Sequence, residues 1–167
     1  MNNGRSTNHS NDINIRDLQS LLRKSFNNKK LILIDSEISR LVSIEESYGS
    51  VVLKLDAKIQ GINGKKIENL NLVAKVLNDS SDRPYFDWPK VLKKEVFVYA
   101  KLMPVYQELE RQAGIKDVID ILPKYVGHRY SLDECSQEID ENSVILIENL
   151  NPRNFYTCDR LKGNLYI

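Results

Sequence analysis

The chain of 167 residues carries 24 basic and 23 acidic side chains, a net charge of +1, with 41% hydrophobic and 28% charged residues. That composition suits one medium-sized domain with a sizeable core, and so even a balance, without a long basic run, argues against nucleic acid or an anionic membrane as partner. Cys135 and Cys158 stand in no metal-like spacing, which argues against a disulfide framework and a zinc site.

Residues 1–12, "MNNGRSTNHSND", read as a disordered polar tail without the apolar stretch of a signal peptide. With no later run of about 18 apolar residues, the expectation is a soluble cytoplasmic protein with no membrane partner. In "INIRDLQSLLRKSF" the residues Ile15, Leu18, Leu21, Leu22 and Phe26 recur at helical spacing, with Asn11 or Asp12 as cap. "LILIDSEISRLVSI" holds a short apolar strand. "SVVLKLDAKIQ" alternates through Val51, Leu53, Leu55, Ala57 and Ile59 as a half-buried strand does. Asn63-Gly64 in "GINGKK" is a hairpin signal, and "LNLVAKVLN" returns as a strand apolar on both faces, interrupted by Lys75.

After the polar loop "NDSSDRPYFDWP", Asp87 and Pro89 open a helix that Pro104 bends or closes. A further helix, "VYQELERQAG", ends at Gly114. Two more strands follow, within "VIDILPKYVG" and "NSVILIENL", separated by the acidic loop "SLDECSQEIDE". The expected fold class is α+β, a five-stranded, mostly antiparallel sheet with a helix inserted after the third strand.

Glu95 breaks the pattern of its helix. Val91, Leu92, Val96, Val98, Tyr99, Leu102 and Met103 share one arc, Glu95 projects from its centre, and Lys90, Lys93, Lys94 and Lys101 lie opposite. Its neighbours at three and four residues are Val91, Leu92, Val98 and Tyr99, so no ion pair along the helix is available. A carboxylate turned toward a core needs a counter-charge. Lys75, alone among apolar neighbours on the preceding strand, is the matching cation. Kinases hold a strand lysine of this kind with a glutamate from the next helix, so that a fixed ammonium meets the phosphates of ATP. The alternative is a lysine that snorkels to water and a glutamate at a helix edge, paired by accident.

From "SYGSVVLKL" through "LVAKVLN", "KKEVFVYAKLMPVYQEL" and "VILIENLNPRNF" the chain resembles the amino-terminal lobe of the ecdysteroid kinase-like (CHK kinase-like) family, relatives of choline and aminoglycoside kinases. The resemblance implies a protein-kinase-like N-terminal lobe. It places Glu95 as the helix glutamate, Tyr99 as its aromatic neighbour and Lys75 as the strand lysine. "LIENL" is similar to the family's hinge, where backbone groups of Glu148, Asn149 and Leu150 receive an adenine ring, with Asn149 standing in place of an aspartate. Tyr48 and Ser50 remain from the loop over the phosphates. The implied reaction is ATP- and magnesium-dependent phosphorylation of a hydroxyl on a small molecule, ecdysteroids being the named class.

The chain departs from the family in two places. "SIEESYGS" carries Glu45 and Glu46 where a glycine-containing approach is expected, and carboxylates repel phosphate. The chain also ends at Ile167 before a histidine-led D-x-x-x-x-N loop; Asp159 and Asn164 have that spacing but follow the hinge too closely, and His128 in "HRY" reads as an ordinary loop histidine. The expected division is a tail over 1–12, an N-lobe over 13–150, and a hinge with the start of a truncated C-lobe over 151–167, with no catalytic residue, no metal ligand, and magnesium tied to the missing lobe. A lone lobe would expose an apolar strip at the hinge strand, the inner side of the Glu95 helix and the tail "LKGNLYI". Two functional readings stand: the lobe of a small-molecule kinase, without transfer activity of its own, or a non-catalytic nucleotide-binding or interaction module.

Overall fold

The computed structural model of the chain describes residues 14–42, 50–61, 66–77, 87–115 and 122–155. Its centre is β2 (Ser50–Gln60), whose alternate residues Val51, Leu53, Leu55, Ala57 and Ile59 are all buried. A period of two puts these five on one face and Ser50, Val52, Lys54 and Asp56 on the other. β2 pairs antiparallel with β1 (Ile32–Arg40) and with β3 (Ile67–Leu77). β4 (Tyr125–Arg129) and β5 (Val144–Glu148) complete an antiparallel sheet of five strands in the order β1-β2-β3-β5-β4. The α+β expectation holds. The β2–β3 register reaches Gln60 opposite Ile67, as a hairpin requires, while Asn63 and Gly64 lie outside the described residues.

β1 is longer than the apolar run that announced it. It covers nine residues, and Ile32 and Ile34 are 48% and 47% exposed. Backbone pairing with β2 extends the strand through Asp35, Glu37 and Arg40, whose charges suit an edge open to water.

Each face of the sheet carries its own core. On one, α1 (Leu18–Ser25) lays Leu18, Leu21 and Leu22 against Leu53, Leu55, Ala74, Val144 and Leu146. The helix cap is Asp17, in left-handed backbone with φ 45°, whose carboxylate accepts from the Ser20 N–H at 3.4 Å. The expected caps Asn11 and Asp12 fall outside the described residues. Phe26, expected on the buried stripe, is 42% exposed because the helix ends at Ser25 and Phe26 is its C-cap. Arg129 ties β4 to the start of this helix, donating to the Arg16 carbonyl at 2.6 Å and to the Asn142 carbonyl at 3.0 Å.

On the other face, Leu92 and Val96 of α2 (Trp88–Phe97) pack on Val73, Ile145 and Ile147. Asp87 caps α2 by accepting from the Lys90 N–H at 3.1 Å, and Pro89 sits in the first turn. Pro104 does not close the helix. A five-residue π segment, Val98–Leu102, carries it into α3 (Met103–Gln112). The Met103 N–H reaches back to the Val98 carbonyl, one residue further than in an α-helix, so Pro104 falls in the first turn of a re-registered helix where its missing N–H is tolerated. Gly114, with φ 77°, follows the C-cap Ala113 as a helix-ending glycine should.

The fourth strand begins at Tyr125, later than "VIDILPKYVG" led one to expect, and 118–121 of that stretch lie outside the described residues. His128 is therefore a strand residue, not a loop one. A bulge between Tyr125 and Gly127 puts Tyr125 opposite Ile147 and His128 opposite Ile145, on the α2 side of the sheet.

Candidate functional site

Lys75 lies on β3 between Val52 of β2 and Ile145 of β5, directly opposite both in register. Hydrocarbon on either flank leaves its ammonium one polar direction, toward α2. There Lys75 Nζ donates to Glu95 Oε1 at 2.9 Å. The two residues that break the apolar patterns of their own elements are thus brought together. Glu95 is less buried than its place in the helix arc implied: the side chains of Lys75 and Glu95 are 21% and 33% exposed. Water reaches the pair, which is therefore worth about 1 kcal/mol rather than the several kcal/mol of a fully buried one.

Val73 precedes Lys75 by two residues and shares its face of the strand, with Ile147 opposite it. These two line a cleft of about 260 Å³ together with Leu41, Pro123, Glu148, Asn149, Leu150, Asn151 and Phe155. Leu41 also lines it; its N–H bonds the Val52 carbonyl at 3.0 Å, continuing the β1–β2 pairing one residue past Arg40. Val73, which lines the cleft, lies about 7 Å along the β3 backbone from Lys75, two residues of extended chain. Ser50 stands opposite Leu77 at the start of β2, diagonal to Lys75 on the same face. Tyr48 and the rest of 43–49 lie outside the described residues.

The stretch from Glu148 to Leu150 is held by specific bonds. The Glu148 N–H donates to the Lys124 carbonyl at 2.8 Å, and its carboxylate accepts from the Lys124 N–H at 3.1 Å and from Arg153 at 3.4 Å. Asn149 is 5% exposed; its N–H donates to the Asn71 carbonyl at 3.2 Å and its side-chain oxygen accepts from the Asn151 N–H at 3.0 Å, starting the 3-10 turn Asn151–Arg153. An aspartate oxygen makes the same turn bond, so asparagine here preserves the local geometry. Of the three residues whose backbone groups are expected to receive an adenine, Glu148 and Asn149 thus have their N–H groups committed internally. The third, of Leu150, makes no hydrogen bond among the described residues.

Sequence reasoning did not find the aromatic cluster on the far strand. Tyr125 O–H and His128 Nδ1 share a hydrogen bond, the His128 and Tyr130 rings lie 4.8 Å apart, and Lys93 of α2 stands 5.9 Å from the Tyr130 ring centre. Burial pushes the Tyr125 hydroxyl up to about 12, and burial, helped by the Lys24 charge, holds the His128 imidazole below its usual range. With Tyr99 and Ala100 also packed on this core, the cluster anchors α2 and the π segment to the sheet and so fixes where Glu95 stands.

An ammonium held by a carboxylate from the following helix, beside an apolar cleft bordered by an N–H that is unbonded among the described residues, is an arrangement of the kinase-like class. The family model described as the ecdysteroid kinase-like family matches residues 45–165, and the chain belongs to that family. Among curated proteins and among solved structures none matches the chain. Among the described residues no helix is long and apolar enough to cross a membrane, and no group of three or more His, Cys, Asp or Glu side chains could hold a metal ion.

Proposed function

We propose that this chain is the nucleotide-holding lobe of an ATP-dependent kinase acting on a hydroxyl of a small, ecdysteroid-like molecule. The observation that carries the reading is the 2.9 Å contact between Lys75 and Glu95 on the strand face that continues into the cleft at Val73 and Ile147. The residues suit ATP. Leu41, Val73 and Ile147 offer apolar surfaces to a flat base, the Leu150 N–H offers it one donor, and Lys75 stands where the phosphates of a base seated there extend. ATP supplies the phosphoryl group; Lys75 meets its negative charge, Glu95 holds Lys75 in place, and Ser50 borders the phosphate side.

Transfer itself needs an aspartate to take the hydroxyl proton and an asparagine and aspartate to hold magnesium. No histidine-led D-x-x-x-x-N occurs in these 167 residues, so by this reading the chain binds nucleotide without transferring phosphate by itself. Thermal unfolding with and without ATP tests it. At about a hundred times its Kd, ATP stabilises the chain by about 2.7 kcal/mol, which for this size raises Tm by roughly 5–10 °C. Lys75→Met removes most of that rise. If ATP leaves the Tm of the unmodified chain unchanged, the reading is wrong.

A further inference from the structure

The helix that brings Glu95 inward turns a different face to water. Lys90, Lys93, Lys94 and Lys101 are exposed there, and among them Phe97 is 57% exposed, followed by Val105 at 56% and Leu109 at 54%. The π segment lines these apolar residues up. Phe97 and Val105 are eight residues apart, about 80° out of line in a regular α-helix, and the extra residue of the wide turn takes back about 100°. Phe97, Val105 and Leu109 therefore form one ridge, with Lys90 on its extension and Lys94 and Lys101 beside it. The acids nearby are engaged: Glu95 with Lys75, Glu108 with Arg111 at 2.9 Å, and Asp87 with the helix cap.

We propose that this ridge docks on an anionic lipid bilayer, lying along its surface. Charge complementarity identifies the partner. The even total charge conceals a cationic face: α2 and the π segment carry Lys90, Lys93, Lys94 and Lys101 against Glu95 alone, and Glu95 is paired with Lys75. Protein interfaces keep lysine out of their apolar centres, whereas helices that lie in a bilayer surface set lysines around large apolar side chains, as Phe97 is set here. An open groove of about 490 Å³ lined by Asp87, Pro89, Lys90, Lys93, Lys94 and Phe97 gives a headgroup room beside three cations, the Asp87 carboxylate at its end being held by the Lys90 N–H. Docking by this face leaves the cleft on the Glu95 side free, and it does not depend on nucleotide binding.

Co-sedimentation of the 167-residue chain tests this, using phosphatidylcholine vesicles with and without phosphatidylserine at about 0.1 M and about 0.5 M salt. The bound fraction is expected to be at least about tenfold higher with phosphatidylserine and to fall at the higher salt. The double variant Lys90→Glu, Lys94→Glu and the single variant Phe97→Ser each weaken binding about tenfold or more, with unchanged melting curves because all three positions are exposed. Binding that ignores phosphatidylserine, or no binding at all, overturns the proposal on the unmodified chain alone. Binding that survives both variants overturns the choice of face, and so does a lipid-free dimer in sedimentation analysis that Phe97→Ser abolishes, since the ridge then belongs to a second copy.

Discussion

Replacing Glu95 by glutamine isolates what the carboxylate does for Lys75. The amide keeps an oxygen where Oε1 now accepts at 2.9 Å, and both side chains are partly wet, so the unliganded chain should lose no more than about 1 kcal/mol of stability. The consequence for ATP is larger. A lysine has about 1.5–2 kcal/mol of rotamer freedom to lose, and the charged tether removes part of it before nucleotide arrives. Glu95→Gln should therefore weaken ATP binding about three- to tenfold. Lys75→Met removes the charge-assisted bond itself, about 1.5–3 kcal/mol, and should weaken binding by roughly 10- to 150-fold. Calorimetric titration of the two variants and of the double variant orders these effects, with the double no weaker than Lys75→Met because the glutamate acts only through the lysine. An affinity for Glu95→Gln equal to or above that of the unmodified chain would refute the reasoning, since the carboxylate would then be competing with the phosphates.

Three further expectations concern the scaffold. A Cβ at Gly127 would stand 1.8 Å from Ser25 Oγ and 2.7 Å from Ser25 Cβ, so Gly127→Ala should cost about 1–3 kcal/mol in urea denaturation. Because Ser25 Oγ is buried without a partner among the described residues, Ser25→Gly loses no hydrogen bond to them and should restore more than half of that cost in the double variant; an additive double variant would place the strain elsewhere. The His128 imidazole is held below its ordinary 6.5 by burial first and the Lys24 charge second, so the unfolded chain takes up the proton earlier as pH falls. Stability should decline from about pH 6.5 down to the folded-state pKa and level off below it, and His128→Gln should flatten that decline. The Tyr125 hydroxyl, pushed up to about 12, works from the other side: stability should fall between about pH 10 and 12, less so in Tyr125→Phe.

What the sequence made legible was whatever one element states by itself. β2 alternates because one of its faces is covered by α1, and β5 is a continuous apolar run because both of its faces are covered. Lys75 and Glu95 could be matched because each contradicts its own element, and two contradictions of opposite sign resolve each other. The features that escaped depend on partners or on geometry between elements. β1 is extended by pairing with β2, which no propensity of "DSEISR" announces. Pro104 read as a break, since a π turn changes register without leaving a residue signature. The expected apolar strip at the hinge strand and inner helix face is in fact buried, with Ile145 and Leu146 fully covered and Leu92 and Val96 nearly so, while exposure falls on Phe97, Val105 and Leu109.

The cleft was hidden for the same reason, and its position explains why the lysine sits where it does. Val73 meets Ile147 only because β5 returns antiparallel beside β3, with the inserted helix and β4 between them in the chain. Antiparallel pairing sets Val73 against Ile147 and Lys75 against Ile145 on one face, so the pair that lines the cleft and the pair that carries the lysine are neighbours along β3. At that second pair the chain places a cation, and from the helix packed above it an anion. A lysine at position 74 would point into the α1 core instead, where Ala74 is fully buried and no carboxylate waits. The single-residue register of β3 thus decides whether the charge meets Glu95 or is lost in hydrocarbon.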